Sequence, residues 1–444
     1  MSGQLLAYIN GTLVGTLKDV NGIWSFQYAQ AWLANPTRFA LSPHLPLQPG
    51  LLVDGATQRP VQWYFDNLLP EEGQRLLLAK DARLDAADAL GLLAYYGAES
   101  AGSITLLTHE PNGPIDGGLR PLSEAELSQR IRNLPHVPLT QAAVKRMSLA
   151  GAQHKLAIVL RDDMMFEPYG IQPSTHILKP DHPDEDYPHS ALNEWFVMLL
   201  AGRLKLQVPG VYRRYLPEPV YIVERFDRLR DGKGRQRRHI IDACQLLGVD
   251  RSFKYEQGSV QALARLAQMC RSSAAARARL YQWLLFCVLV GNSDAHLKNL
   301  SFLMSENGVE LAPHYDLLSV ACYESRAFDQ DGWPMKTRLA WPILEAHRFA
   351  DLNVEILIEA GQALGLVAGT ARRLLSSMTN RVSTEAGKLY AEVAEQNALL
   401  AAARPELSST LAGEGRGLRA IVHTVIDEMA RRLKVAEKKG SRNA

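Results

Sequence analysis

The sequence predicts an α+β fold in three parts, with boundaries after residues 140 and 240. A chain of 444 residues exceeds what one hydrophobic core usually organises, so several units are expected. The 47% hydrophobic and 22% charged residues are ordinary for a folded protein. Short β-prone runs with turn signals dominate residues 1–240, whereas long runs with helical spacing dominate residues 241–444.

The first part, residues 1–140, is predicted to be a small α+β subdomain that begins as a β meander. The runs LLAYI, TLVGTL and IWSFQY are separated by Asn10-Gly11 and Asn21-Gly22, dipeptides that favour tight hairpin turns. Helical patterns follow at FDNLLPEEGQRLLLAK and at DAADALGLLAYYG, and the second has an aspartate cap. The β-prone run SITLL comes next, and the segment HEPNGPIDGGLRP is typical of a loop.

The second part, residues 141–240, has four β-prone runs and one interposed helix. The β-prone runs are KLAIVL, THILK, VPGVYRRYL and YIVERFD, and the helical run is ALNEWFVMLLAGRL. Lys179 ends one strand, where an ammonium group can reach the α- and β-phosphates of a nucleotide. Glu194 on the helix is a candidate carboxylate to hold that lysine. The alternative is a surface lysine and a solvated glutamate.

The end of the run YIVERFDR predicts a contact with the nucleoside. Glu224 and Phe226 would supply backbone groups beside an adenine ring, and Asp227 would meet the ribose. The alternative is an ordinary strand with an exposed end. From Arg225 to Arg238 the chain carries seven Lys or Arg and two Asp, which is typical of an exposed hairpin tip. The alternative for this run is a contact with a nucleic-acid phosphate backbone.

The third part, residues 241–444, contains the most informative segment, GNSDAHLKN, directly after an apolar helix. Asp294 and Asn299 have the D-x-x-x-x-N spacing by which protein kinases orient an acceptor hydroxyl and hold magnesium. Between them, Lys298 would neutralise charge on the transferring phosphoryl group, and His296 is a further candidate for a nucleotide contact.

A second carboxylate, Asp316, follows 22 residues after Asp294, beyond a hairpin with Asn307-Gly308 as its turn. A loop, a hairpin and then an aspartate is the order by which a kinase brings a metal-binding carboxylate under the nucleotide. These residues predict phosphoryl transfer from ATP with Mg2+ in a two-lobed protein-kinase-like fold. The alternative is that Asp294 caps a helix, Asp316 begins a turn and Asn299 is incidental.

Charge, cysteines and hydropathy exclude other classes of protein. The formal net charge of +2 gives no overall field for nucleic acid or an anionic membrane. Four separated cysteines without a C-x-x-C pair fit reduced thiols better than disulfides or zinc. The N-terminus lacks a signal-peptide pattern, and the longest apolar run, WLLFCVLV, is shorter than the roughly 20 residues that cross a bilayer. We therefore expect a soluble, cytoplasmic protein with no membrane partner.

In order and spacing, these segments resemble the HipA serine/threonine kinase toxins of bacterial toxin–antitoxin pairs, over nearly the whole chain. The segments that carry the resemblance are FDNLLPE, GLLAYYGAESAGSITLL, SLAGAQHKLAI, HILKP, LNEWFVMLLAG, YIVERFDR, GNSDAHLKN and YDLLS. The resemblance implies a HipA-like fold, a non-specific serine/threonine protein kinase activity, and specific roles for site residues. These would be Asp294 as catalytic residue, Lys179 as nucleotide-phosphate lysine, Asn299 and Asp316 as Mg2+ ligands, Ser148 as an inactivating autophosphorylation site, and Ala150, Gly151 and Ala152 as phosphate-contacting backbone.

The resemblance also implies partners. Family members usually pair with a small helix-turn-helix antitoxin dimer that binds operator DNA, and the best-known member phosphorylates glutamyl-tRNA synthetase, which stalls translation. His154 departs from the family, because many relatives carry an acidic residue there, and this puts the switching of the loop in doubt. Two other functions stay open: a related kinase that acts on a small molecule or lipid, and a non-catalytic corepressor that acts through a DNA-binding antitoxin.

Overall fold

The computed structural model describes residues 2–111, 117–141, 143, 149–151, 153–229 and 236–435. Its strands are β1 (Ser2–Ile9), β2 (Thr12–Val20), β3 (Ile23–Tyr28), β4 (Leu52–Val53), β5 (Ile104–Leu107), β6 (Gly117–Pro121), β7 (Leu156–Arg161), β8 (Met164–Gly170), β9 (His176–Pro180), β10 (Val211–Tyr215), β11 (Pro219–Glu224), β12 (His239–Asp242), β13 (Ser301–Ser305), β14 (Gly308–Leu311), β15 (Arg338–Ile343) and β16 (Ala346–Arg348). Its α-helices are α1 (Gln30–Leu33), α2 (Pro60–Asp66), α3 (Glu72–Ala82), α4 (Ala89–Tyr96), α5 (Glu124–Arg132), α6 (Ser190–Arg203), α7 (Ala243–Leu247), α8 (Val260–Met269), α9 (Ser273–Leu289), α10 (Val354–Ala363), α11 (Ala368–Ala403), α12 (Ser408–Arg419) and α13 (Asp427–Arg432). Within these ranges, no helix has both the length and the apolar character needed to cross a membrane.

The N-terminal unit is a five-stranded antiparallel sheet in the order β4-β3-β2-β1-β5, packed against α2 and α4. The two predicted Asn-Gly turns are confirmed. Asn10 and Gly11 have φ values of 47° and 83°, and Asn21 and Gly22 have 52° and 79°, as a tight hairpin turn with two left-handed residues requires.

The helical pattern FDNLLPEEGQRLLLAK is not one helix, so that prediction is wrong in its continuity. The chain leaves α2 at Asp66 and begins α3 at Glu72, with Pro70 between them. A proline in a helix interior lacks the N–H that the helix needs, so a break here follows from the sequence. The next helix has an aspartate cap as predicted, but at Asp88 rather than at Asp85, with which the pattern opens. The Asp88 carboxylate accepts a hydrogen bond of 2.9 Å from Gly91 N.

The second unit is a six-stranded antiparallel sheet in the order β10-β11-β9-β7-β8-β6. The four predicted β-prone runs form β7, β9, β10 and β11, and the predicted helix is α6. Strand β6 lies in the segment predicted as a loop, and that prediction is wrong for Gly117–Pro121, which pairs with β8. Leu122, Leu127 and Leu139 share a core with β7 and β9, so this unit begins before residue 140.

The third unit is mainly helical, as predicted, and it contains the small sheet β12-β13-β14. The predicted hairpin is present as β13 and β14, with Glu306 and Asn307 rather than Asn307 and Gly308 at its tip. The apolar run WLLFCVLV is buried within α9 and at its end. Helix α6 packs against β10 and β11 on one side and against α11 on the other, and so joins the sheet lobe to the helical lobe.

Candidate active site

A cavity of about 480 Å³ lies between the six-stranded sheet and the helical lobe, and the N-terminal unit also contributes to its wall. This volume is in the range of sites for nucleotide-sized ligands. One part of the wall is apolar and would suit a planar base. The apolar residues in this part are Ala101, Ile177, Val223, Phe226 and Ile240.

Lys179 is buried at the end of β9 and lies between two carboxylates. Its Nζ donates hydrogen bonds of 2.8 and 2.9 Å to the two carboxylate oxygens of Glu194, so the predicted contact is present. The same Nζ contacts Asp316 Oδ1. Burial alone would lower the pKa of Lys179, but Asp316 and Glu194 outweigh it and hold this pKa above its ordinary value. Burial raises the pKa of Glu194 to about 7, against the effect of Lys179.

Asp316 also faces a second lysine, Lys155, which the sequence analysis did not single out as a site residue. The Lys155 ammonium donates a hydrogen bond of 2.7 Å to Ala150 O, just ahead of β7. Burial lowers the pKa of Lys155, although Asp316 opposes the change. Burial would raise the pKa of Asp316, but Lys179 and Lys155 outweigh it and hold this pKa well below its usual range. Asp316 is therefore an anion held by two cations.

Asp294 and Asn299 are brought together by a tight loop after α9. Asp294 N donates a hydrogen bond of 3.1 Å to Asn292 Oδ1, and Asn299 Nδ2 donates one of 3.0 Å to Asp294 O. The Tyr255 hydroxyl donates a hydrogen bond to Asp294 Oδ1. His296 is buried in the same loop, its Nδ1 has no hydrogen-bond partner in the described part of the chain, and burial lowers its pKa.

Lys298 points to the N-terminal unit. Its Nζ donates hydrogen bonds of 2.7 Å to Asn67 Oδ1, 3.1 Å to Asn67 O and 2.8 Å to Asp242 Oδ2. Glu71 Oε1 lies 3.3 Å from the same Nζ. An ammonium group has three N–H donors, and these partners already engage them.

The predicted nucleoside-binding segment lies at the same cavity, and Glu224, Phe226 and Asp227 are all part of its wall. The Asp227 carboxylate, however, has internal partners. It accepts hydrogen bonds of 2.7 Å from Gly102 N and 2.8 Å from Arg225 Nη2. Burial would raise the pKa of Asp227, but Arg225 and Arg228 outweigh it and lower this pKa to about 2.

The prediction of an exposed hairpin tip from Arg225 to Arg238 is wrong at three arginines, Arg225, Arg228 and Arg237. All three are buried at the side chain, where Glu99 of the N-terminal unit accepts from them at 3.4, 2.8 and 3.0 Å. Glu99 is fully buried, so the arginines supply the charge that its burial requires. Residues 230–235 lie outside the described residues.

The predicted phosphate loop is described only in part, since Ser148 and Ala152 lie outside the described residues. Ala150 and Gly151 line the cavity, and Gly151 has φ +109°, which favours glycine. Gly151 O accepts a hydrogen bond of 3.3 Å from Glu71 N, so the N-terminal unit contacts this loop. His154 is buried beside Gln74, whose Nε2 lies 2.8 Å from His154 Nδ1, and burial lowers its pKa to about 4.

Asp316 and Asn299 carry the oxygen ligands that Mg2+ prefers, one carboxylate and one amide. Within the described ranges, no three His, Cys, Asp or Glu side chains group as a metal site. Magnesium at a phosphoryl-transfer site takes most of its ligands from phosphates and water, so the two side chains fit it.

Comparisons with known proteins agree on one family. Residues 5–107 match the HipA N-terminal domain, and residues 147–386 match the HipA-like C-terminal domain. The serine/threonine-protein kinase toxin HipA of Shewanella oneidensis is 35% identical over 326 residues, which cover 68% of this chain and 71% of that protein. A candidate kinase of Sinorhizobium fredii, Y4mE, is 34% identical over 87% of this chain and 94% of its own length. The solved structure of S. oneidensis HipA with HipB and operator DNA matches with a TM-score of 0.73 and 27% identity, over 96% of this chain and 99% of that one.

Proposed function

The chain belongs to the HipA family, and from this premise we propose that it is an ATP-dependent serine/threonine protein kinase that acts as a toxin. The observation that carries the proposal is the group Lys179, Glu194 and Asp316 on the cavity wall, in which a buried lysine pairs with one buried and one partly exposed carboxylate. The loop with Asp294 and Asn299 lines the same cavity. Phosphoryl transfer needs a lysine for the phosphates, a metal-binding acid and an acid for the acceptor.

In the proposed reaction, the acceptor hydroxyl attacks the γ-phosphorus of ATP, the bond from that phosphorus to the bridging oxygen breaks, and ADP leaves. Asp294 accepts a hydrogen bond from the acceptor and takes its proton. Lys179 binds the α- and β-phosphates, with Glu194 holding its ammonium group. Asn299 and Asp316 would ligate Mg2+, which neutralises phosphate charge when bound.

Two predicted roles change within this proposal. The Lys298 ammonium donates its hydrogen bonds to Asn67 and Asp242. We therefore assign Lys298 to fixing the catalytic loop, residues 291–299, rather than to contacting the transferring phosphoryl group. The Asp227 carboxylate oxygens accept hydrogen bonds from Gly102 and Arg225, so we assign Asp227 to fixing the hinge, residues 224–227 beside the proposed adenine site, rather than to contacting the ribose. Glu224 and Phe226 keep their proposed backbone contacts with adenine, and His296 keeps its proposed nucleotide contact.

Autophosphorylation of Ser148 is part of the proposal, on the resemblance to the family. A phosphoserine carries nearly two negative charges. Repulsion between the phosphoserine and the ATP phosphates would keep the modified loop away from the site. An intact-mass measurement after incubation with ATP tests this, because an unmodified wild-type chain would contradict it.

The partners are proposed from the solved relative, which was determined with HipB and operator DNA. We propose a small helix-turn-helix antitoxin dimer as partner of this chain, with operator DNA bound through that complex. An aminoacyl-tRNA synthetase, such as glutamyl-tRNA synthetase, is the proposed protein substrate, because its phosphorylation would stop translation and growth.

Transfer of label from γ-labelled ATP into proteins of a dialysed bacterial lysate, with Mg2+ present, tests the proposed activity. Wild-type protein is expected to label serine in a protein, and Asp294→Asn is expected to label at least about 100-fold more slowly. Label in lipid, or in small molecules when the lysate is used without dialysis, would instead support the related lipid or small-molecule kinase. If growth arrest survives Asp294→Ala, the non-catalytic corepressor accounts for the effect and the kinase toxin is ruled out.

A further inference from the structure

Tyr255 is the residue outside the predicted site that bears most directly on the proposed chemistry. We infer that Tyr255 is a positioning residue that orients the Asp294 carboxylate toward the acceptor hydroxyl. This inference rests on the proposed function. Tyr255 lies in the turn after the short 3-10 helix Arg251–Phe253, far from Asp294 in the sequence, and its hydroxyl donates a hydrogen bond to Asp294 Oδ1.

The Asp294 carboxylate has no other hydrogen-bond partner among the described residues. The three other hydrogen bonds of Asp294, to Asn292, Asn299 and His296, involve its backbone N and O, so they place the loop but do not fix rotation of the side chain. A terminal carboxylate rotates over a broad range of angles unless a partner holds it. Because Tyr255 holds Oδ1, the second oxygen remains to accept the proton of the acceptor.

Tyr255 is itself held in place from two sides. Its ring packs edge-on against the His296 ring, with centroids 5.0 Å apart and an interplanar angle of 79°. The Lys254 ammonium lies 5.2 Å from the centroid of the Tyr255 ring and donates a hydrogen bond of 2.7 Å to Glu71. Burial, with Asp294 adding to it, raises the pKa of the Tyr255 hydroxyl, so the phenol stays protonated and remains a donor.

The Tyr255→Phe variant tests the inference, because it removes the hydroxyl and keeps the ring against His296. We expect the rate of label transfer from saturating γ-labelled ATP to fall about tenfold, since a catalytic group must be held close to its productive geometry. We expect the dissociation constant for ADP and the unfolding temperature to stay at wild-type values. Substitution of a residue with a purely structural role would also change the dissociation constant for ADP and the unfolding temperature.

Tyr390 on α11 offers a matched control. Its ring also packs edge-on against a histidine, His423, with centroids 5.8 Å apart and an interplanar angle of 83°, but it lies outside the cavity and its hydroxyl has no hydrogen bond among the described residues. Tyr390→Phe is therefore expected to transfer phosphate at the wild-type rate.

Three results would overturn the inference while the proposed kinase function stands. Tyr255→Phe with the wild-type rate would mean that the hydroxyl does not orient Asp294. A faster variant would mean that the hydroxyl blocks the acceptor. Phosphate on Tyr255 of the wild-type protein, found by peptide mass spectrometry, would mean that this hydroxyl is an acceptor. A wild-type protein that transfers no phosphate at all would instead contradict the proposed function.

Discussion

Two networks of buried charge border the cavity, and they differ in composition. Behind the hinge, Glu99 and Asp227 meet three arginines, Arg225, Arg228 and Arg237. At the phosphate end, Glu194 and Asp316 meet a lysine, Lys179. The first network is buried throughout, whereas the Asp316 side chain at the second is 23% exposed.

The difference lies in what each cation can do. An arginine is always charged and its planar group binds carboxylates through several fixed donors, so the hinge network is suited to joining the N-terminal unit to the sheet lobe. A lysine is a compact point charge on a flexible stem, and it can exchange a carboxylate for a phosphate oxygen. We therefore expect changes in the first network to reduce stability and changes in the second to reduce activity.

The largest expected effect is that of Glu99→Gln. This change leaves three buried arginines with one carboxylate, and we expect the free energy of unfolding to fall by roughly 3–5 kcal/mol. Urea denaturation measures the change. Glu392→Gln is the matched control, because Glu392 pairs with Arg203 with 51% of its side chain exposed, and its loss should leave the free energy of unfolding nearly unchanged. Equal losses in the free energy of unfolding for the two substitutions would contradict a stabilising role for the first network.

Asp316→Asn is expected to reduce activity more than stability. It removes the negative charge from the proposed Mg2+ site, and we expect phosphate transfer to fall by about 100-fold or more. The pair Lys179 and Glu194 remains, so the loss in the free energy of unfolding should be smaller than that of Glu99→Gln. Transfer of label and urea denaturation on the same preparation measure both quantities. A variant that keeps its activity would show that the metal site is assigned wrongly.

The smallest expected effect concerns Glu414, which is fully buried like Glu99 but has a single arginine, Arg213, at 3.5 Å. Burial raises the pKa of Glu414 to about 7. The folded protein then holds a proton that the unfolded chain releases above a pH of about 4.5, so Glu414 lowers stability as the pH rises from about 4.5 to 7.

Glu414→Gln should lack this dependence. Over that pH range, the wild-type protein is expected to lose roughly 2–3 kcal/mol relative to the variant. Urea denaturation at a series of pH values measures the difference. A difference that stays constant with pH would show that Arg213 keeps Glu414 ionised, and that one arginine is enough for a buried glutamate.

Much of the fold follows from local pattern in the sequence. The Asn-Gly turns were predicted from those dipeptides, and the four β-prone runs and α6 from β-propensity and helical spacing. Strand β6 was missed because its glycine- and proline-containing segment has no strand pattern, and pairing with β8 makes it a strand. The break between α2 and α3 was signalled by Pro70, and a stricter use of that signal predicts it.

The site residues also fall into two groups, those that the sequence predicted and those that it did not. Lys179, Asp294, Asn299 and Asp316 carry short motifs, and the structure brings them to one cavity. Tyr255 lies in none of the segments that carry the resemblance, and Glu71 and Glu99 lie in two of them but had no predicted role. Their partners are remote in the sequence, and only tertiary packing joins them. Lys155 had one signal, a charged residue directly before an apolar strand, but a single lysine of this kind is common at surfaces.

Glu71 contacts segments that are far apart in the sequence. The Glu71 backbone N donates a hydrogen bond to Gly151 O in the phosphate loop. The Glu71 carboxylate accepts a hydrogen bond from Lys254, the residue before Tyr255, and also lies beside Lys298 of the catalytic loop. Displacement of this one acidic residue would disturb both loops at once. A partner that binds the N-terminal unit and displaces this segment would therefore inhibit the enzyme without occupying the cavity.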